Sequence, residues 1–335
     1  MMSTVYLVQQ GGVVTKKQGR FHIKVADEPQ QDIPVREISK MLLYGNIHLT
    51  TPVISTCLYE HIPVFFLSQS GKYKGHLWSA QSGELTTEFA QFERYGNEEF
   101  RLEMARAIVR GKLMNSKQLL LRLNRKRRSE QVAEAIEGIN TDLRAVSKAT
   151  QVDQLRGYEG SAASRYFPAM GQLIQAEDFS LVRRTRRPPT DPINALLSFG
   201  YTLLYNNVLS FVLVEGLNPY LGCLHRSERK ETHLAFDLME TFRSPIVDSM
   251  VLRLVNQRII TLEDFQPPAE NGGIYLTDSA RRVFLKQFEA RMDTPTAYGN
   301  QKEPVAYRRA IQRQVQDYKR AMVAGVAYEP FLRPV

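Results

Sequence analysis

At 335 residues the chain is long enough to bury more than one core, and its formal net charge of +9 favours a polyanionic partner, most simply nucleic acid. Its two cysteines, Cys57 and Cys223, both stand among apolar residues. They exclude a disulfide framework or a cysteine-built zinc site and fit a reduced, cytoplasmic protein. The charge is uneven: residues 1–90 carry a net of +1, which leaves +8 on residues 91–335 and places the anion-binding surface there. The start, Met1-Met2-Ser3-Thr4-Val5-Tyr6, does not read as a signal peptide, because no basic stretch precedes a long apolar one.

Residues 1–86 read as mainly strands. Short β-rich runs at residues 5–8, 13–14, 21–25 and 33–35 are separated by Gly11-Gly12 and by residues 27–32. Residues 38–44 and 47–49 flank a turn at Gly45-Asn46. Pro52 then opens a helix to about Glu60, residues 62–67 form a buried strand, and residues 71–75 loop to His76-Leu77-Trp78. His22, His48, His61 and His76 are scattered without ligand spacing and read as structural or surface groups.

Ser82-Gly83-Glu84 marks a linker, and residues 87–335 read as α-helical. Residues 100–123 repeat apolar side chains at helical spacing opposite an Arg- and Lys-rich face. Arg125-Lys126-Arg127-Arg128 reads as a solvated helix end, with a phosphate contact as the second reading. A helix over 133–146 is expected to break or end near Gly138. Glu159 lies between Gly157 and Gly160, which allow close approach of backbone or ligand; alone it fits a first helical turn.

Arg183, Arg184, Arg186 and Arg187 form the strongest basic cluster and are the candidate DNA contacts. Thr190-Asp191-Pro192 reads as a cap with proline at the first helical position. Residues 195–214 form an apolar helix interrupted by Asn206 and Asn207, which suits a protein core rather than a membrane span.

The densest chemistry follows. His225 comes just after a turn, and Thr232 is expected to cap a helix running to about Val255 that carries Asp237 and Glu240. Three residues apart, these carboxylates lie about 60° apart on one helical face. Acids among Leu234, Phe236, Leu238 and Met239 repel each other unless something positive holds them, and a divalent cation is one answer. Imidazole with carboxylate oxygens suits magnesium or manganese. The plainer reading is an amphipathic helix with an acidic stripe and a loop-capping histidine. Asp248, eleven residues beyond Asp237, reads as a surface residue. Beyond it come a capping box at Thr261-Leu262-Glu263-Asp264 and a helix over 280–291 capped by Thr277. A basic amphipathic helix over 306–324 and a docking or disordered tail at Tyr328-Glu329-Pro330-Phe331 follow.

Several stretches recur in one order: Lys112-Leu113-Met114-Asn115, Gly157-Tyr158-Glu159-Gly160, Tyr166-Phe167 and Arg186-Arg187-Pro188-Pro189-Thr190-Asp191-Pro192. Gly216-Leu217-Asn218-Pro219, Leu224-His225 and Phe236-Asp237-Leu238-Met239-Glu240 follow them. That ordered set resembles CRISPR-associated protein one, the integrase of spacer acquisition. The resemblance implies an α+β protein, with an N-terminal β-rich dimerisation domain (1–86) and a larger all-α metal-dependent catalytic domain (87–335). It implies a homodimer that joins a small CRISPR-associated partner protein, and DNA partners comprising the spacer precursor and the CRISPR repeat. It also implies magnesium or manganese held by Glu159, His225 and Glu240 with Asp237 beside them, although Asp237 and Glu240 could exchange roles. The implied reaction is attack of a 3′-hydroxyl on a phosphodiester, with no protein nucleophile. Two other classes stay open: a different metal-dependent nuclease of DNA repair or junction cutting, and a non-catalytic DNA-binding scaffold.

Overall fold

The computed structural model of the chain describes residues 3–25, 30–69, 73–77, 85–225, 231–299 and 303–333. The chain divides into two compact units, Met1–Glu84 and Leu85–Val335. The expected linker at residues 82–84, and Trp78, lie outside the described residues.

The first unit is strand-rich, as expected. Its strands are β1 (Ser3–Leu7), β2 (Gly12–Lys17), β3 (Arg20–Lys24), β4 (Gln31–Pro34), β5 (Ile38–Tyr44), β6 (Ile47–Leu49), β7 (Val64–Leu67) and β8 (Tyr73–His76). Helix α1 (Thr51–Tyr59) lies between β6 and β7. One sheet has the order β1-β5-β7-β8, with β8 antiparallel to β7 and the other neighbours parallel; the second has the order β4-β3-β2-β6. Val14, Phe21, Met41, Val53 and Val64 are fully buried in one apolar cluster. Alternating side chains from β2 and β3 thus share a core with α1.

The second unit is helical: α2 (Leu85–Gly96), α3 (Glu98–Arg127), α4 (Glu130–Val146), α5 (Val152–Gly171), α6 (Pro192–Val214), α7 (His233–Met239), α8 (Ser249–Asn256) and α9 (Asp278–Met292). A two-residue ladder, β9 (Pro295–Thr296) with β10 (Val305–Ala306), then leads into α10 (Tyr307–Ala324). Local sequence signals set several starts. Asn97, Ser129, Asp191 and Thr277 each accept a first-turn N–H, and Thr261 with Asp264 makes the expected capping box. Helix α6 is long and apolar enough to cross a membrane, but most of its apolar stretch is buried inside the protein. It serves as a core helix.

Several expectations need correction. Helix α4 runs through Gly138 without a break. The missing Cβ instead admits Arg165 of α5, whose Cδ would stand 2.5 Å from it. Glu159 sits in the middle of α5 rather than in a first turn. A Cβ at Gly157 or Gly160 would meet nothing within 4 Å, so neither glycine serves a close approach by the protein. The helix expected from Thr232 to Val255 is regular only to Met239. It tightens into a 3₁₀ turn (Glu240–Phe242), widens into a π turn (Arg243–Asp248) and resumes as α8. Pro245 explains the irregularity, since it has no N–H and its ring crowds the preceding turn. The Thr232 hydroxyl bonds Tyr205 instead of capping α7. The tail at residues 328–331 is docked within the unit: Phe331 is 3% exposed and stacks on Phe242 at 4.7 Å between ring centroids. Asn115 of α3 donates to the carbonyls of Thr241 (2.7 Å) and Phe331 (2.9 Å), so one side chain ties α3, the 3₁₀ turn and the tail.

Candidate active site

The site is assembled on α7 and the loop before it. Asp237 is completely buried, yet each of its oxygens accepts two hydrogen bonds. Oδ2 takes the backbone N–H groups of Cys223 (2.6 Å) and Leu224 (2.8 Å). Oδ1 takes the backbone N–H of His225 (2.9 Å) and faces its Nδ1 at 2.7 Å. The loop thus wraps one carboxylate. Gly222 permits the wrap, because a Cβ there would lie 2.7 Å from His233 Cβ and 3.0 Å from Asp237 Oδ2. Arg156 of α5 donates to the Leu224 carbonyl at 2.7 Å and pins the loop from the other side. Asp237 therefore orients His225 and has no oxygen left over. Of the two carboxylates that the sequence left interchangeable, Glu240 is the one turned into the site.

Glu240, in the 3₁₀ turn after α7, is 2% exposed and surrounded by cations. Arg243 reaches its Oε1 at 3.0 Å, and His225 Nε2 lies 3.8 Å from the same oxygen. Lys112 Nζ of α3 lies 2.6 Å from Oε2 and also pairs with Glu159 of α5. This buried oxygen is thus ion-paired to Lys112. Burial alone would raise the Glu240 carboxyl. The charges of Arg243, Lys112 and His225 outweigh it and hold the group down at about 2. Burial likewise pulls the His225 imidazole down, but the Asp237 hydrogen bond and charge, helped by Glu240, raise it. Asp237 and Glu240, the neighbouring acids of the sequence, are thus each compensated: the loop N–H groups hold Asp237, and Arg243 with Lys112 holds Glu240.

Behind Glu240 lies a further buried acid. Asp248 is 1% exposed, not on the surface, and accepts from Tyr166 at 2.7 Å and Tyr201 at 2.6 Å. The Tyr201 ring is flanked by two guanidinium groups, Arg243 at 4.8 Å and Arg184 at 5.4 Å from its centroid. Arg184 also donates to Asn194 (2.7 Å) and Ser198 (2.9 Å). This member of the basic cluster is committed to the protein interior, whereas Arg183, Arg186 and Arg187 are exposed. A cavity of about 30 Å³ opens beside Glu159, lined also by Lys112, Ser116, Tyr166, Arg186 and Arg243. It brings Arg186 to the acidic cluster.

Sequence reasoning missed three parts. Arg243 had a visible signal, its i,i+3 spacing from Glu240. Lys112 stood in an ordered motif but without a role, because both its partners are remote in the chain. Asp248 was misplaced because the tyrosines that satisfy it come from α5 and α6.

Among the described residues no three His, Cys, Asp or Glu side chains are arranged as an ion cage. The donor set nevertheless fits a hard divalent cation. Two carboxylates converge on one cationic Nζ, and His225 has Nδ1 tied to a buried carboxylate with Nε2 turned toward Glu240. A histidine fixed through its other nitrogen by a carboxylate is the usual orientation of a metal-binding imidazole.

Comparison with known proteins gives the family. Residues 5–290 match the family model described as CRISPR associated protein Cas1. The CRISPR-associated endonuclease Cas1 1 of Thermus thermophilus is 34% identical over 332 residues, covering 98% of each chain. A casposase bound to integration product has a TM-score of 0.84 at 25% identity, over 99% of this chain and 94% of that one. A chain of a Cas6-RT-Cas1–Cas2 complex has a TM-score of 0.83 at 26% identity, covering 98% of this chain and 36% of that one. With the family model spanning most of its length, the chain belongs to the Cas1 family of CRISPR-associated proteins.

Proposed function

We propose that this chain is the integrase of CRISPR adaptation, a metal-dependent DNA endonuclease that joins new spacer DNA to a CRISPR array. The observation that carries the reading is the convergence of Glu159 and Glu240 on one cationic point, with His225 oriented beside them by Asp237. Glu159, His225 and Glu240 would hold magnesium or manganese, which when bound polarises the phosphodiester and stabilises the departing oxygen. The 3′-hydroxyl of the incoming strand attacks phosphorus, a new phosphodiester forms, and the displaced strand leaves with its own 3′-hydroxyl.

The chain's own residues position these reactants. Asp237 fixes the imidazole, Arg243 holds Glu240, and Arg186 is placed to take a phosphate beside Glu159. No protein nucleophile takes part. Cys223 is buried, and burial pushes its thiol up to about 12. The near-neutral first unit is assigned to self-association as a homodimer. The Cas1–Cas2 neighbour supports a small Cas partner, and the casposase complex supports DNA as the ligand.

The test is strand transfer. Purified protein, a short duplex with free 3′-hydroxyls and a plasmid carrying a repeat are expected to give joined, full-length products with manganese and none after chelation. Shortened fragments without joined product would leave a nuclease, and metal-independent binding alone would leave a scaffold.

The exposed arginines make a separate expectation. Replacing Arg183, Arg186 and Arg187 by alanine should weaken binding to all DNA sequences alike. Each lost phosphate contact should reduce the slope of log affinity against log salt by about 0.9 on duplex DNA. Arg184→Ala should leave that slope unchanged and lower the melting temperature instead, because its partners are Asn194, Ser198 and the Tyr201 ring. Salt titrations beside melting curves read both, and a slope that falls in Arg184→Ala would place that side chain on DNA.

A further inference from the structure

Lys112 stands where the two carboxylates meet. Its Nζ bonds Glu159 and lies 2.6 Å from Glu240 Oε2, with the side chain 13% exposed. The four central charges cancel: Lys112 and Arg243 against Glu159 and Glu240. A divalent cation bound by the same oxygens would bring two further positive charges against an ammonium already in contact with them. Like charges at that separation in a poorly solvated site repel strongly.

One of the two resident cations has to yield, and the geometry distinguishes them. Arg243 is held by Glu240 Oε1 and by the Tyr201 ring, and it lies on the π turn. Its planar fork is fixed in place. Lys112 is a compact charge on a flexible four-carbon stem. Both cations border the cavity that Arg186 and Ser116 also line, but only the lysine has a flexible stem that can carry its charge away from the carboxylates.

Resting on the metal centre proposed above, we infer that Lys112 is the internal counter-ion of Glu159 and Glu240 and surrenders that place when a divalent cation binds. The lysine holds the two acids together in the metal-free protein and competes with the metal for them. It therefore sets how much cation the protein takes up before DNA arrives. A phosphate entering beside Arg186 offers the displaced ammonium a new anionic partner, so DNA and metal should favour each other's binding.

The test is manganese titration by calorimetry on the full chain without DNA, using wild type, Lys112→Met and Lys112→Arg. Lys112→Met should bind manganese at least tenfold more tightly than wild type, although its metal-free form melts at a lower temperature. Lys112→Arg, which keeps the charge, should stay near wild type. A side chain that merely braces α3 against α5 predicts the opposite, weaker metal binding once the acids splay apart. Equal or weaker binding by Lys112→Met while wild type binds manganese would overturn the inference and leave the metal centre standing. No binding by either protein would remove both. If Lys112→Met does not fold, crystals of the unmutated protein soaked in manganese decide the matter. Nζ should have left both carboxylates, and an Nζ still on Glu240 beside a bound ion would refute the exchange.

Discussion

Glu240→Gln is expected to reduce strand transfer by more than about a hundredfold and to destabilise the metal-free protein by about 3 kcal/mol. From sequence the sign stays open: removing one of two neighbouring acids would relieve repulsion, whereas removing an acid paired with an arginine would leave a buried charge alone. The geometry selects the second. Glu240 is buried between Arg243 at 3.0 Å and Lys112 at 2.6 Å, so the amide leaves Arg243 without its anion and Lys112 with Glu159 alone. A loss of about 3 kcal/mol corresponds to a fall of roughly 6 to 12 °C in melting temperature for a unit of this size. The pH dependence follows from the carboxyl being held at about 2 against an ordinary 4.5. A depressed carboxyl contributes stability that is complete above its unfolded value and lost as pH falls through the folded one. The gap between wild type and Glu240→Gln should therefore be widest at neutral pH and close as pH drops from about 4.5 towards 2. Melting curves across that range check it, with and without manganese. Manganese should raise the melting temperature of wild type and leave the variant unmoved. A variant as stable as wild type, or one still stabilised by manganese, would take Glu240 out of the site.

What could be read from the sequence divides by distance along the chain. The caps at Asp191 and Thr277 and the capping box at Thr261 and Asp264 depend on residues three apart, and they form as expected. The strand-rich first unit and the helical second one follow from periodicity, which is also local. Pro245 was in plain view, and it interrupts the helix that the carboxylate spacing suggested would continue. What was not legible depends on partners brought by other helices. Asp248 looked like a surface acid because Tyr166 and Tyr201 come from α5 and α6. Arg184 looked like its basic neighbours because the groups that hold it inside lie on α6. The tail could be read as docking or disordered, and the choice was not local, because its partners are Asn115 and Gln314. The candidate site shows the same division. The ordered motifs marked Glu159, His225, Asp237 and Glu240, but spacing could not separate the roles of the last two. Four converging donors occupy Asp237 in three dimensions, which supports the separation proposed above, with Glu240 as the ligand.

That separation gives the second large effect, in Asp237→Asn. The substitution changes one buried atom and preserves shape, yet no orientation of the amide satisfies its neighbours. With NH₂ in place of Oδ2 it faces the N–H groups of Cys223 and Leu224; flipped, it faces the N–H of His225 and the ring Nδ1. Either way donors meet donors, and the loop loses the charge around which it is wrapped. Each buried donor left without an acceptor costs about 1 to 3 kcal/mol, so a total loss of about 3 to 5 kcal/mol is expected. With the loop released, His225 loses the hydrogen bond that fixes its ring, and manganese affinity should fall by about 10- to 100-fold. The pattern differs from Glu240→Gln, in which the metal response disappears while the His225 loop keeps its hydrogen bonds. Urea unfolding with manganese titration distinguishes the two, and hydrogen exchange at the amides of Cys223, Leu224 and His225 reports on the loop directly. Those amides should be protected in wild type and in Glu240→Gln, and exchange faster in Asp237→Asn. Retained protection and wild-type metal affinity in Asp237→Asn would show that the loop holds its shape without this carboxylate, and Asp237 would lose its role as the organiser of the histidine.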